Sequence, residues 1–281
     1  MKRRTFLQAA GYAALYGGLA ADFAKSAFAL SPKEIAGADP DLHLLRRISF
    51  GPVKQELERV RQIGRNAYID EQLSANDAFT DLKAGAFWTY TMLDANTLFT
   101  ASAGGFLLEN CIAQLQASKI YKAMFSSAQL KEVMVDFWND HFNTYIRKNP
   151  VPLKLLLDKD VIRPNALGNF KTLLRAVVHH PEMLHYLDNW MNAKGAINEN
   201  YARELLELHT LGKDGGYTET DMKNLARILS GLSYPPDPAA GLILGYGKYS
   251  FDANKHDSEA KTFLGQSFPA GGGEAEIDRA L

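Results

Sequence analysis

A single cysteine, Cys111, occurs in the whole chain. No internal disulfide can form, so the fold rests on packing rather than on covalent staples. Charge of one sign is also missing: 31 Lys and Arg stand against 32 Asp and Glu, net −1. That balance excludes a general electrostatic attraction to nucleic acid or anionic lipid. Long hydrophobic runs are absent. The apolar stretch near the N-terminus is broken by Asp22 and by glycines, and falls short of the ~20 strongly apolar residues of a membrane span. The chain has no Walker loop, dinucleotide fingerprint, Gly-x-Ser-x-Gly elbow or His-Glu-x-x-His motif, so none of the chemistries those motifs carry is announced. Internal repeats and low-complexity linkers are lacking too. What is present is ordinary globular composition: 281 residues, 46% hydrophobic and 22% charged. Such a chain can bury a sizeable core, as one large domain or two smaller ones.

Residues 1–29 read as an address. Lys2, Arg3 and Arg4 form a positive start, a weakly apolar stretch follows, and Ala27-Phe28-Ala29 fits small-x-small cleavage. Arg3-Arg4-Thr5-Phe6-Leu7-Gln8 resembles the twin-arginine signal. The expected localisation is periplasmic or secreted, with the twin-arginine translocase a partner during export and no membrane span left after cleavage. That route carries folded proteins, which favours a cofactor acquired in the cytoplasm. Removing residues 1–29 takes away Lys2, Arg3, Arg4 and Lys25 but only Asp22, so the exported part carries −4. Cys111, in an apolar helical stretch, reads as a buried inert thiol.

The hydrophobic period is helical nearly throughout, which predicts a mainly α, multi-helix bundle-like domain over residues 30–281. Asp39-Pro40 is a cap and first-turn proline, and Gly64 ends the helix of Val53, Leu57, Val60 and Ile63. Asn66 is expected to cap a helix over 67–73, and further helices are predicted over 82–93, 105–125, 129–145, 165–178, 181–189, 198–211 and 219–232. Strand evidence is confined to a small hairpin or ordered loop near 241–252. Tyr234-Pro235-Pro236-Asp237-Pro238 is the weakest point of continuity. After Gly271-Gly272-Gly273, residues 274–281 are too short for a well-packed helix, which gives the C-terminus an incomplete look.

The densest polar segment runs from Asn198 to Leu211. At 100° per residue, Glu199, Asn200, Arg203, Glu204, Glu207 and Thr210 share one arc, and Tyr201, Leu205, Leu206, Leu208 and His209 the other. The polar arc is either a solvated face with local ion pairs or a cavity lined by Arg203, Glu204 and Glu207. His209, on the apolar arc, is a core histidine or a ligand. His141, in Asp136-Phe137-Trp138-Asn139-Asp140-His141-Phe142, poses the same choice, because a buried imidazole needs a partner for at least one nitrogen. His256-Asp257 either completes a site built by the last helix pair or lies in a surface loop. Glu182-x-x-His185 has the spacing of a di-iron ligand pair, but a single copy is too few. His179-His180-Pro181 most simply caps a helix. Residues 214–221 suggest half a calcium loop, yet Thr210 and Gly212 fill its first ligand positions. A glycine turn and a Thr218–Asp221 capping box account for them better.

Several of these segments together resemble one bacterial family, the domain of unknown function 1800. The likeness runs through Leu42–Gly51, Asp136–Phe142, Ile162–Phe170, Tyr186–Asn189 and, most specifically, Asn198–Gly216, and extends to His256-Asp257, Lys261, Leu264 and Gly265. The resemblance implies an exported protein, usually longer than this chain by a further helical portion. It also implies a neighbouring exported protein of the domain of unknown function 1501 family as partner. It names no reaction. Two functions follow as expectations. One is a metal- or cofactor-assisted envelope enzyme, with Arg203, Glu204 and Glu207 in anion binding, ligation or general-base roles and His141, His209 and His256 as ligands of a metal ion or haem. The alternative is a non-catalytic envelope protein that binds an exported partner through the charged arc.

Overall fold

In the computed structural model, residues 39–76, 93–94, 97–98, 107–148, 153–234 and 248–281 are described. The predicted helix over 82–93 and residues 241–247 of the predicted hairpin fall outside them. The architecture is mainly α, as the periodicity predicts. The chain divides into two compact units: Met1–Met92 with Glu109–Phe137, and Leu93–Leu108 with Trp138–Leu281. Among the described residues no helix is long and apolar enough to cross a membrane.

The first unit contains α1 (Pro40–Ile48), α2 (Lys54–Ile63) and α3 (Arg65–Ser74), together with most of α4 (Leu107–Phe125) and α5 (Gln129–His141). Asp39 starts α1 by accepting the amides of Asp41 and Leu42 at 2.9 and 3.3 Å, which satisfies two of the four donors a helix start leaves open. Gly64, at φ 85°, turns α2 directly into α3. Asn66 therefore lies inside a helix rather than capping one. Leu42, Leu45, Leu57, Val60 and Tyr68 form the buried core of this hairpin. Gln72 ties α3 to the start of α5, donating to the Ser127 carbonyl and accepting from the Leu130 amide. Cys111 is fully buried in α4, and burial pushes its thiol up to about 11.

The second unit holds the rest. Lys154–Leu156, Leu157–Ile162 and Arg163–Asn165 run on as one helix, α6, whose middle segment is π. Then come α7 (Phe170–Val178), α8 (Pro181–Tyr186) and a 3-10 turn at Asn189–Met191. Helix α9 is α over Asn200–Glu204 and π over Leu205–Thr210, and α10 is Glu219–Ile228. The capping box is present: Thr218 accepts the Asp221 amide at 3.1 Å and Asp221 accepts the Thr218 amide at 2.9 Å. His180 caps α8 by accepting the Glu182 amide at 3.2 Å. Asn192 donates to the Ala226 carbonyl and accepts the Asn198 amide, joining the starts and ends of three elements.

The strand segments are short. β1 (Leu232–Ser233) pairs antiparallel with β2 (Ser250–Phe251), so the chain around 250 pairs back to the segment that follows α10, which ends at Ile228 rather than running on to 232. β3 (Lys261–Phe263) and β4 (Gln266–Phe268) form a second hairpin that the sequence reading missed. Its two-residue turn, Leu264-Gly265, has φ of 47° and 75°, the positive pair that a tight hairpin turn matched to strand twist requires. Asn224 and Asp221 of α10 hold it, through the Thr262 carbonyl and the Leu264 amide. The tail does form a helix, α11 (Ala275–Ala280), because Ile277 and Glu276 are buried. Packing supplies what its length cannot.

Candidate functional site

The last turn of α5 pins both π segments of the second unit. Trp138 donates Nε1–H to the Ala166 carbonyl at 2.9 Å. Asn139, buried, donates to Asp158 of the first π segment at 2.6 Å. Arg163 stands 3.9 Å from the same carboxylate. His141 donates Nε2–H to the His209 carbonyl of the second π segment at 3.0 Å; a carbonyl can only accept, which fixes the tautomer. π turns recur where a helix has been reshaped around a site, and here one turn of α5 reads both.

The second π segment ends in a tight cap. The amides of Leu211 and Gly212 both donate to the Leu206 carbonyl, and Thr210 Oγ1 donates to the Leu205 carbonyl. Gly212, at φ 81°, makes the left-handed exit that a C-terminal cap needs. The His209 carbonyl is among the carbonyls a helix end leaves without a backbone donor, and His141 supplies one. The wider turn also corrects the sequence-based arcs. Leu208, assigned to the apolar side, is 63% exposed, whereas His209 is 5% exposed.

The two imidazoles sit in an aromatic nest. Their ring centres are 6.2 Å apart. Phe142 touches both, at 4.6 Å from His141 and 5.3 Å from His209. Trp138 and Phe170 flank His141 at 5.5 and 6.5 Å. Burial, and then the neighbouring His141, bring the His209 imidazolium down to about 4, so His209 is neutral at pH 7. Its Nδ1 is buried with no hydrogen-bond partner.

The polar arc of α9 behaves differently. Arg203 lies 3.5 Å from Glu207, 4.0 Å from Glu199 and 3.7 Å from Glu219 of α10, and all four side chains reach solvent. Glu204 makes no hydrogen bond or ion pair among the described residues. Tyr217 joins this face: desolvation and the nearby Glu207 raise its hydroxyl above the ordinary phenol range. Nothing in the pattern of 214–221, read for turns and caps, points to Tyr217.

His256 lies in neither group, nor in a surface loop. It is 2% exposed and donates Nδ1–H to the Ser230 carbonyl at 2.8 Å. Its Nε2 stands 3.6 Å from Glu276, which is 4% exposed and takes a 2.5 Å hydrogen bond from buried Lys261. Beside it, Asp257 grips Arg227 through two hydrogen bonds of 2.7 and 3.1 Å. Glu276 escapes a reading of motifs because it follows the glycine run in an eight-residue tail. Of the six residues singled out from sequence, the structure therefore brings together Arg203 with Glu207, and His141 with His209. Among the described residues, no group of three or more His, Cys, Asp or Glu side chains could hold a metal ion. The Glu182–His185 spacing resolves into two separate roles, with Glu182 buried and His185 Nδ1 at 2.5 Å from the Tyr234 hydroxyl.

No curated protein and no solved structure matches the chain. A family model does, over residues 43–281, which take in the imidazole pair, the Arg203 face and the Lys261–Glu276 pair. The chain belongs to the family described as Protein of unknown function (DUF1800).

Proposed function

We propose that this protein is an exported, cofactor-assisted enzyme of the cell envelope, with the His141–His209 pair as the point of contact with the cofactor. One observation carries the reading. A buried polar nitrogen with no partner is rare, because leaving it unmade costs about 1–3 kcal/mol, and His209 Nδ1 is such an atom beside a second imidazole. The twin-arginine-like start, Arg3-Arg4-Thr5-Phe6-Leu7, supports export in the folded, loaded state. The test is elemental and absorption analysis of the full-length protein purified from its native periplasm. A bound transition metal or a Soret band supports the reading, and a metal-free, haem-free sample removes it.

A second reading, binding of an exported partner such as a protein of the domain of unknown function 1501 family, is favoured by the surface of α9. Leu208 is strongly exposed next to the half-exposed Arg203–Glu207 pair, and an apolar side chain rimmed by charge is the composition of a contact surface. Here Glu207→Gln weakens partner capture without loss of any bound ion. Undiminished capture by that variant would defeat this account.

A further inference from the structure

We propose that the outer face of α9 is a docking surface for a cationic segment of a partner protein, one in which Lys or Arg residues flank a large apolar side chain. The inference rests on the second reading above and narrows it by naming the chemistry of what binds. Leu208 and Leu211 are 63% and 45% exposed. Single apolar side chains scattered over a surface need no account, but these two stand together at one helix end. A wide turn brings residues four to five apart into line. Arg203, Glu207 and Leu211 form one such row, with the 3.5 Å Arg203–Glu207 contact along it, and Glu204 and Leu208 form the next. Gly215 packs so closely on Leu211 that a Cβ there would come within 2.5 Å of the leucine Cβ, which fixes this edge of the surface in advance of any partner.

The charge selects the occupant. Residues 198–219 carry five carboxylates, Glu199, Glu204, Glu207, Asp214 and Glu219, and only two cations, Arg203 and Lys213. Arg203 is already shared among Glu199, Glu207 and Glu219, at 4.0, 3.5 and 3.7 Å. Glu204, in line with Leu208, takes no part in those pairs. The surplus around the two leucines is therefore negative. Nucleic acid, an anionic lipid surface or an acidic segment is repelled, whereas a basic segment is steered in and held in register. The leucines then supply the apolar contact at the centre and the carboxylates the polar rim.

The probe is benzoylphenylalanine, an apolar photo-crosslinker, placed at Leu208 of the full-length protein in its native cell, with the adduct sequenced by mass spectrometry. The expected adduct is one partner protein, joined at an apolar residue flanked by Lys or Arg. That segment, made as a synthetic peptide, binds the purified protein, as fluorescence anisotropy reads. Leu208→Ser weakens binding by about tenfold or more. Glu204→Gln combined with Glu207→Gln weakens it several-fold and flattens its salt dependence, while Glu58→Gln, in the first unit, leaves it unchanged. Circular dichroism of each variant separates lost binding from lost folding. An adduct on an acidic or neutral segment, or binding that ignores both carboxylates in the folded variant, overturns the cationic occupant and leaves the partner reading standing. Binding that ignores Leu208 overturns the surface. No specific adduct, or an adduct with a second copy of this chain alone, overturns the inference and the partner reading together.

Discussion

His141 Nε2–H donates to the backbone carbonyl of His209, 68 residues further along, at 3.0 Å. That one bond closes a helix end that would otherwise leave a carbonyl without a donor, and it places the two rings side by side in a nest of Trp138, Phe142 and Phe170. Protonation of His209 would put a charge into that nest, which makes the site sensitive to acid.

The first prediction is the sign of that sensitivity. His209 falls from 6.5 to about 4 and His180 from 6.5 to about 3, both chiefly through burial. A base held below its unfolded value favours the native state fully above pH 6.5. The benefit is lost as pH falls from there toward the folded value, since the unfolded chain binds the proton first. Over its full interval the shift is worth about 3 kcal/mol for His209 and about 5 kcal/mol for His180. Urea midpoints should drop steeply between pH 6.5 and 4.5, and His209→Phe should flatten part of that slope. A midpoint independent of pH over this window would contradict the buried neutral state.

The second concerns the fully buried pair. Lys261 and Glu276 are 2.5 Å apart with almost no exposure, and Gly272 makes room for them: a Cβ there would come within 2.7 Å of Glu276 Oε1. Removing one partner leaves a desolvated charge. Glu276→Gln should cost about 3–5 kcal/mol, whereas the double change Lys261→Met with Glu276→Leu should recover most of it. Chemical unfolding of the three proteins decides the matter. Equal loss in single and double variants would mean that shape, not charge, is at stake.

What could be read in advance was whatever depends on neighbouring residues. The Asp39, Thr218–Asp221 and His180 caps and the Gly64 break are chemistry of four or five consecutive positions, and each stands where its residue types put it. The candidate site was legible only in part. His141 and His209 could be named singly, but their meeting depends on a π turn, and an angle of 100° per residue assumes that no such turn occurs. Six wide-turn residues at Leu205–Thr210 were enough to carry Leu208 into solvent. The same effect hid α6. Pro164 lies inside that helix, just after a π segment in which the Arg163 amide reaches back to the Asp158 carbonyl. Strands of three residues, like β3 and β4, are too short for an alternating pattern to register. Glu276 takes its role from tertiary packing alone.

The third prediction is chemical. Cys111 is fully buried and its thiol is pushed up to about 11. The thiolate is the reactive form, so at pH 8 the native protein should be inert to Ellman's reagent and release one equivalent only on unfolding. Rapid labelling of the folded protein would show that α4 opens far more readily than its packing allows.

The fourth tests the hairpin turn. Leu264 adopts φ 47° with its side chain partly in solvent, a conformation that costs a residue with a Cβ about 1–2 kcal/mol. Its amide is still needed, because it donates to Asp221 of α10 at 2.8 Å. Leu264→Gly keeps that donor and removes the strain, but enlarges the freedom of the unfolded chain. The two effects oppose each other, and the strain is the larger, so the variant should be more stable by up to about 1 kcal/mol. Leu264→Pro keeps neither the dihedral nor the donor and should lose about 3 kcal/mol or more. Thermal melts of the pair measure both. A glycine variant that melts well below the wild type would mean that the leucine side chain, not its backbone, stabilises the turn.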